Sequence, residues 1–144
     1  LAIYADGPFE IVYEDEVTAR ELIDQGVVNL LAFGPALVKN GEIVVDTSTE
    51  VGRAMASNPR TAIGIIDENH YIIVVADGRT TESEGLSLYQ MAEIMKEYGA
   101  TTAYNLDGGG SSTLYFNGQV INNPTTNGNT ISERAVSDIV YIGY

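Results

Sequence analysis

Thr61-Ala62-Ile63-Gly64-Ile65-Ile66-Asp67 and Tyr71-Ile72-Ile73-Val74-Val75-Ala76-Asp77 are two β-rich runs joined by the turn Glu68-Asn69-His70. Branched and aromatic residues in this density favour strands, and the near-continuous apolarity predicts that both strands are central. Downstream, Leu88, Met91, Ala92 and Met95 recur at helical spacing while Glu93, Lys96 and Glu97 take the other face, which predicts one long helix over Leu88–Tyr98. Ser87 and Gln90 form its capping box, and Gly99 stops it. After it, Thr101–Leu106 reads as a strand, then comes a glycine turn, then Thr113–Phe116 and Val120–Ile121 around Asn117-Gly118.

Upstream, Leu1–Tyr4 and Phe9–Tyr13 flank Asp6-Gly7 as short strands. A short helix begins at the Thr18/Glu21 capping box and ends at Gly26. Val27–Phe33 reads as a buried strand, and Leu37–Val38 and Glu42–Val45 as a hairpin around Asn40-Gly41. Asn122–Arg134 is rich in Asn, Thr and Gly and reads as loop, and Asp138–Ile142 as a closing strand. Many strands with two helices predict an α+β fold, a mixed β-sheet with one long and one short helix packed against it.

At 144 residues the chain suits one domain, and an apolar fraction of 44% supplies a core. The formal charge of −13 argues against nucleic acid or an anionic membrane surface as a partner. With no Cys, disulfide scaffolds, thiolate metal sites and a Cys nucleophile are excluded, and a single His70 excludes a multi-His metal site. The chain begins at Leu1 and shows no signal-peptide pattern, so it is expected to be a piece whose natural N-terminus is missing.

Residues suited to chemistry gather at predicted strand ends: Asn58-Pro59-Arg60, Asp77-Gly78-Arg79, Asn105 to Ser112, and Glu133-Arg134. Three consecutive glycines, Gly108, Gly109 and Gly110, are costly unless the backbone needs a left-handed conformation or a close approach. Their amides, with the hydroxyls of Ser111 and Ser112, could form an anion-binding nest; the competing reading is a tight hairpin. Only seven basic residues exist, and Arg60, Arg79 and Arg134 lie in these motifs. Either they build an anion clamp, which the planar guanidinium suits, or each pairs with a carboxylate such as Asp77, Asp107 or Glu133. Asp107, Asn105 and Asp77 are also hard oxygen donors that could hold calcium, although no EF-hand spacing supports it.

These blocks, together with Phe33-Gly34-Pro35-Ala36-Leu37-Val38, Gly85-Leu86-Ser87-Leu88 and Glu133-Arg134-Ala135-Val136-Ser137-Asp138, resemble in their order the phosphodiester glycosidase family. Asp107-Gly108-Gly109-Gly110-Ser111 is the most specific of them, and the resemblance runs through essentially the whole chain. An earlier Asn-Gly-rich aromatic segment usual in the family is absent, so the chain is expected to be the C-terminal larger part of that domain.

The resemblance implies hydrolysis of a sugar-1-phosphodiester, N-acetylglucosamine-like, with release of sugar and a phosphomonoester. It implies an extracellular or cell-envelope setting, in bacterial envelope or exopolysaccharide metabolism. It implies no cofactor. The leaving phosphate is already stabilised, its second pKa being about 6, so a strong general acid matters less than in ordinary glycosidases. The resemblance assigns Asp107 and Asp77 as candidate catalytic carboxylates. It assigns Arg60, Arg79, Asn105, Gly108, Gly109, Gly110, Ser111, Ser112 and Arg134 to binding of the substrate and its phosphate. Two other readings stay open: a noncatalytic carbohydrate-phosphate binding module and a calcium-stabilised envelope domain.

Overall fold

The computed structural model describes residues 1–46 and 56–143, so Arg53 lies outside the described residues. The described residues form an α+β fold of three antiparallel sheets and two α-helices. The largest sheet has five strands: β4 (Ala36–Lys39), β5 (Glu42–Ile43), β6 (Arg60–Asp67), β7 (His70–Ala76) and β8 (Thr102–Asn105), in the order β5-β4-β8-β6-β7. A three-stranded sheet joins β1 (Ala2–Tyr4), β2 (Phe9–Glu10) and β3 (Val27–Leu30), while β9 (Tyr115–Phe116) and β10 (Gln119–Val120) form a small hairpin. The turns expected from sequence are present. Asn40 and Gly41, and Asn117 and Gly118, take paired positive φ angles of 53° and 76° and of 48° and 88°, which close two-residue hairpins with the right twist.

The long helix α2 (Leu88–Glu97) lies against β4 and β5, with lighter contact to β6 and β8. Both arms of its capping box are made: the Gln90 amide donates to the Ser87 hydroxyl at 3.1 Å, and the Ser87 amide to Gln90 Oε1 at 2.9 Å. Leu88, Met91, Ala92 and Met95 are buried, against Leu37, Val38, Val45, Ala62 and Ala103. Complete burial of each methionine is worth about 1.5–3 kcal/mol. Gly64 makes this packing possible, since a Cβ there would stand 2.7 Å from the Thr102 carbonyl oxygen and 2.8 Å from Met95 Cε. The opposite face of β6 presents Ile63 to a second core with Leu1 and Ile11, bordered by Phe9, Tyr104 and Leu106. The short helix α1 (Ala19–Asp24) packs on β3 and so belongs to the smaller sheet.

Three expectations are corrected. β7 is an edge strand, although its neighbour β6 is interior. Its apolar run hides an alternation: Ile72, Val74 and Ala76 pack on the α2 core, whereas Tyr71 and Ile73 are 36% and 38% exposed. β3 is largely exposed, with Val28 and Leu30 facing solvent; an apolar run favours the strand but does not supply the layer that buries it. Asp138–Ile142 forms no strand and is exposed, because among the described residues no edge pairs with it, and a strand needs a ladder partner. Among the described residues no helix is long and apolar enough to cross a membrane.

Candidate functional site

Antiparallel register decides where the polar motifs meet. Arg60 pairs with Ala76 across β6 and β7, and Ala62 with Asn105 across β6 and β8. The start of β6 and the ends of β7 and β8 therefore share one end of the sheet. Asn58-Pro59-Arg60, Asp77-Gly78-Arg79 and the segment after Asn105 leave that end side by side.

The glycine segment is a single 3₁₀ turn over Gly109–Ser111, not a hairpin between two strands. The Gly108 amide donates to Asp107 Oδ1 at 2.8 Å, and the Gly109 amide to the Pro59 carbonyl at 3.2 Å. The Ser111 and Ser112 amides donate to the Gly108 and Gly109 carbonyls. Each glycine has a local cause. A Cβ at Gly108 would lie 2.5 Å from the Pro59 carbonyl oxygen, and one at Gly110 would lie 2.5 Å from Thr126 Oγ1. Gly109 adopts φ +67°, the left-handed region that favours glycine. The turn is thus pressed between the start of β6 and the Asn-rich loop, with the Gly108 and Gly109 amides donating inside the chain.

Two arginines flank this turn. A Cβ at Gly109 would stand 3.0 Å from Arg79 Nη1, and one at Gly110 would stand 3.1 Å from Arg134 Cβ. Arg134 donates through Nη2 to Asp107 Oδ2, with further donation from Nε to Ser111 Oγ at 2.9 Å and from Nη2 to the Gly108 carbonyl at 3.1 Å. Ser111 Oγ donates to the same Asp107 oxygen at 2.9 Å. Partial burial alone would raise the Asp107 carboxyl. The Arg134 guanidinium, the Ser111 hydroxyl and the Gly108 amide outweigh it and hold the group below its ordinary value.

Arg79 differs. Its Nε and Nη2 donate to Asn58 Oδ1 at 3.1 and 2.8 Å, and its Nη1 donates to the Thr126 carbonyl. Every one of these acceptors is neutral, and no carboxylate among the described residues pairs with this exposed cation. Its backbone is left-handed, with φ +60°. Gly128 permits that path, since a Cβ there would fall 2.0 Å from the Arg79 carbonyl oxygen. Arg60 lies deeper, 7% exposed, and donates to the Leu86 carbonyl at 3.0 Å and the Ala56 carbonyl at 3.1 Å. It fastens the entrance of β6 beneath the site.

Asp77 sits at the end of β7 and accepts from Asn122 Nδ2 at 2.9 Å and from the Asn123 amide at 2.9 and 3.0 Å on its two oxygens. Asn122 Nδ2 also donates to the Ser112 carbonyl at 2.6 Å. This carboxamide ties Asp77 to the glycine turn. Asn105 and Ser112 are buried behind the turn. Asn105 Nδ2 donates to the Gly34 carbonyl at 2.7 Å, while Asn105 Oδ1 and Ser112 Oγ have no partner among the described residues. Among the described residues no three His, Asp or Glu side chains come together to hold a metal ion.

The structure thus gathers Arg60, Asp77, Arg79, Asp107, Gly108, Gly109, Gly110, Ser111 and Arg134 around one end of the large sheet, with Asn105 and Ser112 in the layer beneath. Sequence reasoning missed Asn122, the Asn58 side chain and Thr126 as the groups that join these parts. Their signal was the polar density of the segment from Asn122 to Arg134, which reads equally well as an unstructured loop.

The sequence pattern of the phosphodiester glycosidase family matches residues 1–143. The chain belongs to the phosphodiester glycosidase family. It is 35% identical over 141 residues to the SPbeta prophage-derived uncharacterized protein YomE of Bacillus subtilis, covering 98% of this chain and 21% of that protein. It is 36% identical over 110 residues to the mouse N-acetylglucosamine-1-phosphodiester α-N-acetylglucosaminidase, covering 68% of this chain and 21% of the mouse protein. Among solved structures, the fold is similar to the zebrafish N-acetylglucosamine-1-phosphodiester α-N-acetylglucosaminidase catalytic domain, auto-inhibited by its pro-peptide. That match has a TM-score of 0.71 at 28% identity and covers 94% of this chain and 48% of the zebrafish chain. This family member therefore spans about a fifth of the length of the curated relatives it matches.

Proposed function

We propose that the protein hydrolyses a sugar-1-phosphodiester of the N-acetylglucosamine type, releasing free sugar and a phosphomonoester. One observation carries the reading. In a chain of net charge −13, Arg79 is exposed beside the glycine turn and, among the described residues, held by neutral oxygens alone. Neutral anchors fix the direction of the guanidinium without cancelling its charge, which suits a phosphate. Arg134 stands across the turn as a second cation, although Asp107 already balances it.

In this reading the phosphate of the diester rests against Arg79 and shares the edge of Arg134. The bond between the anomeric carbon and the phosphate oxygen breaks, and its electron pair leaves with the phosphate. Water adds to the anomeric carbon and gives up a proton. A carboxylate beside that carbon favours the positive charge developing on it. Asp77 is supported in this role because among the described residues no cation pairs with it, and it keeps lone pairs beyond its two N–H donors, Asn122 Nδ2 and the Asn123 amide. Asp107, bound to Arg134 and Ser111, is supported as the group that orients them. Family membership supports the chemistry; an extracellular or cell-envelope setting and a role in exopolysaccharide metabolism are part of the proposal.

The test is release of free sugar by the full-length protein from a sugar-1-phosphodiester and from a neutral alkyl glycoside of the same sugar. Arg79→Gln is expected to raise KM for the phosphodiester about 10–100-fold, the worth of a charge-assisted hydrogen bond. Equal turnover of the neutral glycoside by the wild-type protein refutes the reading. Binding of the phosphodiester without release favours a noncatalytic module.

A further inference from the structure

Beside Asp77 opens a cleft of about 440 Å³, within the ~300–1,000 Å³ range of small-molecule sites. Through Gly128 its lining adjoins the Arg79 backbone. Thr81, Glu82, Asn123, Asn129 and Ile131 line it with Asp77, and no Lys or Arg does. One wall is fixed by its own hydrogen bonds: the Thr80 amide donates to the Ser83 carbonyl at 2.9 Å, and the Ser83 hydroxyl donates to the Asp77 carbonyl at 2.8 Å. The Thr81 hydroxyl, the Glu82 carboxylate and the carboxamides of Asn123 and Asn129 have no partner among the described residues. Unused donors and acceptors thus face a shaped space.

We propose that this cleft binds the sugar ring, the neutral, hydroxyl-rich part of the substrate; the assignment rests on the phosphodiester reading above. Carboxamides and a hydroxyl offer both donors and acceptors, as sugar hydroxyls require. Ile131 offers an apolar contact for the C–H face of a ring. Two carboxylates and no cation in the lining disfavour an anion there. The lining holds only the carboxylates of Asp77 and Glu82, and among the described residues no three His, Asp or Glu side chains come together, too few hard anionic ligands for a divalent cation. The left-handed backbone of Arg79 sends its guanidinium to the glycine turn and away from this lining. Sugar in the cleft and phosphate on Arg79 place the bond between them at Asp77, which borders the cleft and is tied to the turn through Asn122.

The test uses two probes, N-acetylglucosamine and inorganic phosphate, titrated by NMR into the full-length protein. The double variant Asn123→Ala/Asn129→Ala removes two exposed carboxamides that hold nothing in the fold, and its melting temperature should match wild type. It is expected to weaken N-acetylglucosamine binding about tenfold or more and to leave phosphate binding unchanged; Arg79→Gln is expected to do the reverse. Wild-type protein that binds no N-acetylglucosamine, or a double variant that binds it as well as wild type, overturns the cleft assignment while leaving the phosphodiester reading standing. Calcium that competes with the sugar for the wild-type cleft overturns it in favour of a cation site. Phosphate binding indifferent to Arg79→Gln defeats the underlying phosphodiester reading, and this assignment with it.

Discussion

Gly85→Ala adds one methyl group at the point where two of the three site arginines, Arg60 and Arg79, are anchored. Gly85 has φ +99°, and a Cβ there would stand 2.3 Å from the Asn58 carbonyl oxygen, 2.4 Å from its carbonyl carbon and 2.7 Å from its nitrogen. All three are backbone atoms, so no side chain can swing aside. The chain must part where Asn58 and Leu86 exchange two hydrogen bonds, at 3.1 and 3.0 Å. Asn58 holds Arg79, and the Leu86 carbonyl holds Arg60. Gly41→Ala is the control: Gly41 also has positive φ, +76°, but nothing lies within 4 Å of its would-be Cβ. Both variants bear the left-handed strain of about 1–2 kcal/mol. Gly85→Ala should in addition lose two backbone hydrogen bonds at about 0.5–1.5 kcal/mol each, hence about 1–3 kcal/mol beyond the control. At this chain length that is roughly 3–15 °C in Tm. Thermal unfolding of the two variants side by side is the assay, with phosphate titration as the second readout. Equal melting temperatures, with phosphate affinity retained in Gly85→Ala, would refute the idea that the Asn58–Leu86 bridge carries the site.

Met95→Ala should cost about 2–5 kcal/mol by urea unfolding, because the side chain is fully buried between α2 and Gly64. Gly64→Ala should cost about 1–3 kcal/mol from the opposite side of that contact, since the Thr102 carbonyl cannot yield as a side chain would. The folded-state value of Asp107 lies below its unfolded one, so its contribution to stability is present above the ordinary carboxyl range and fades as pH falls through the lowered value. Arg134→Gln should move the NMR-detected titration of Asp107 upward; an unmoved titration would mean that Arg134 is not what depresses it. The exposed Lys96–Glu42 pair, 2.6 Å apart, should be worth under about 1 kcal/mol in a double-mutant cycle.

The local signals in the sequence were strong where the backbone itself was the determinant. Capping boxes, Asn-Gly turns and the stripe of Met91 and Met95 depend on residues a few positions apart, and each stands where its spacing placed it. Layering was weaker. The run over β7 is apolar at nearly every position, so the alternation that leaves Tyr71 and Ile73 outward is invisible until β6 fixes the register. The run from Asp138 to Ile142 has strand composition but finds no edge among the described residues, and composition cannot supply one. At the site, the polar motifs were legible because scarce arginines fell beside glycines at strand ends. Their division of labour was not. That Arg134 faces a carboxylate, Arg79 a carboxamide and Arg60 backbone carbonyls is decided by contacts 4 to 47 residues apart in sequence.

That division also explains why the glycines stand together. A turn that only closed a hairpin would ask for positive φ at one or both of its central residues, and of the three glycines only Gly109 has it. Gly108 and Gly110 are required by what presses on the turn from outside, the Pro59 carbonyl on one side and Thr126 with Arg134 on the other. Those neighbours belong to the two segments that bring Arg60 and Arg134 to the site. Arg79 reaches the same place through Asn58, the residue before Pro59, and through the Thr126 carbonyl. A side chain at Gly108 or Gly110 would therefore do more than strain a loop: it would push apart the segments from which two guanidinium groups are hung. The glycine run is the spacer that lets three arginines approach one sheet end in an acidic chain, where Arg134 faces a carboxylate and Arg79 faces neutral oxygens.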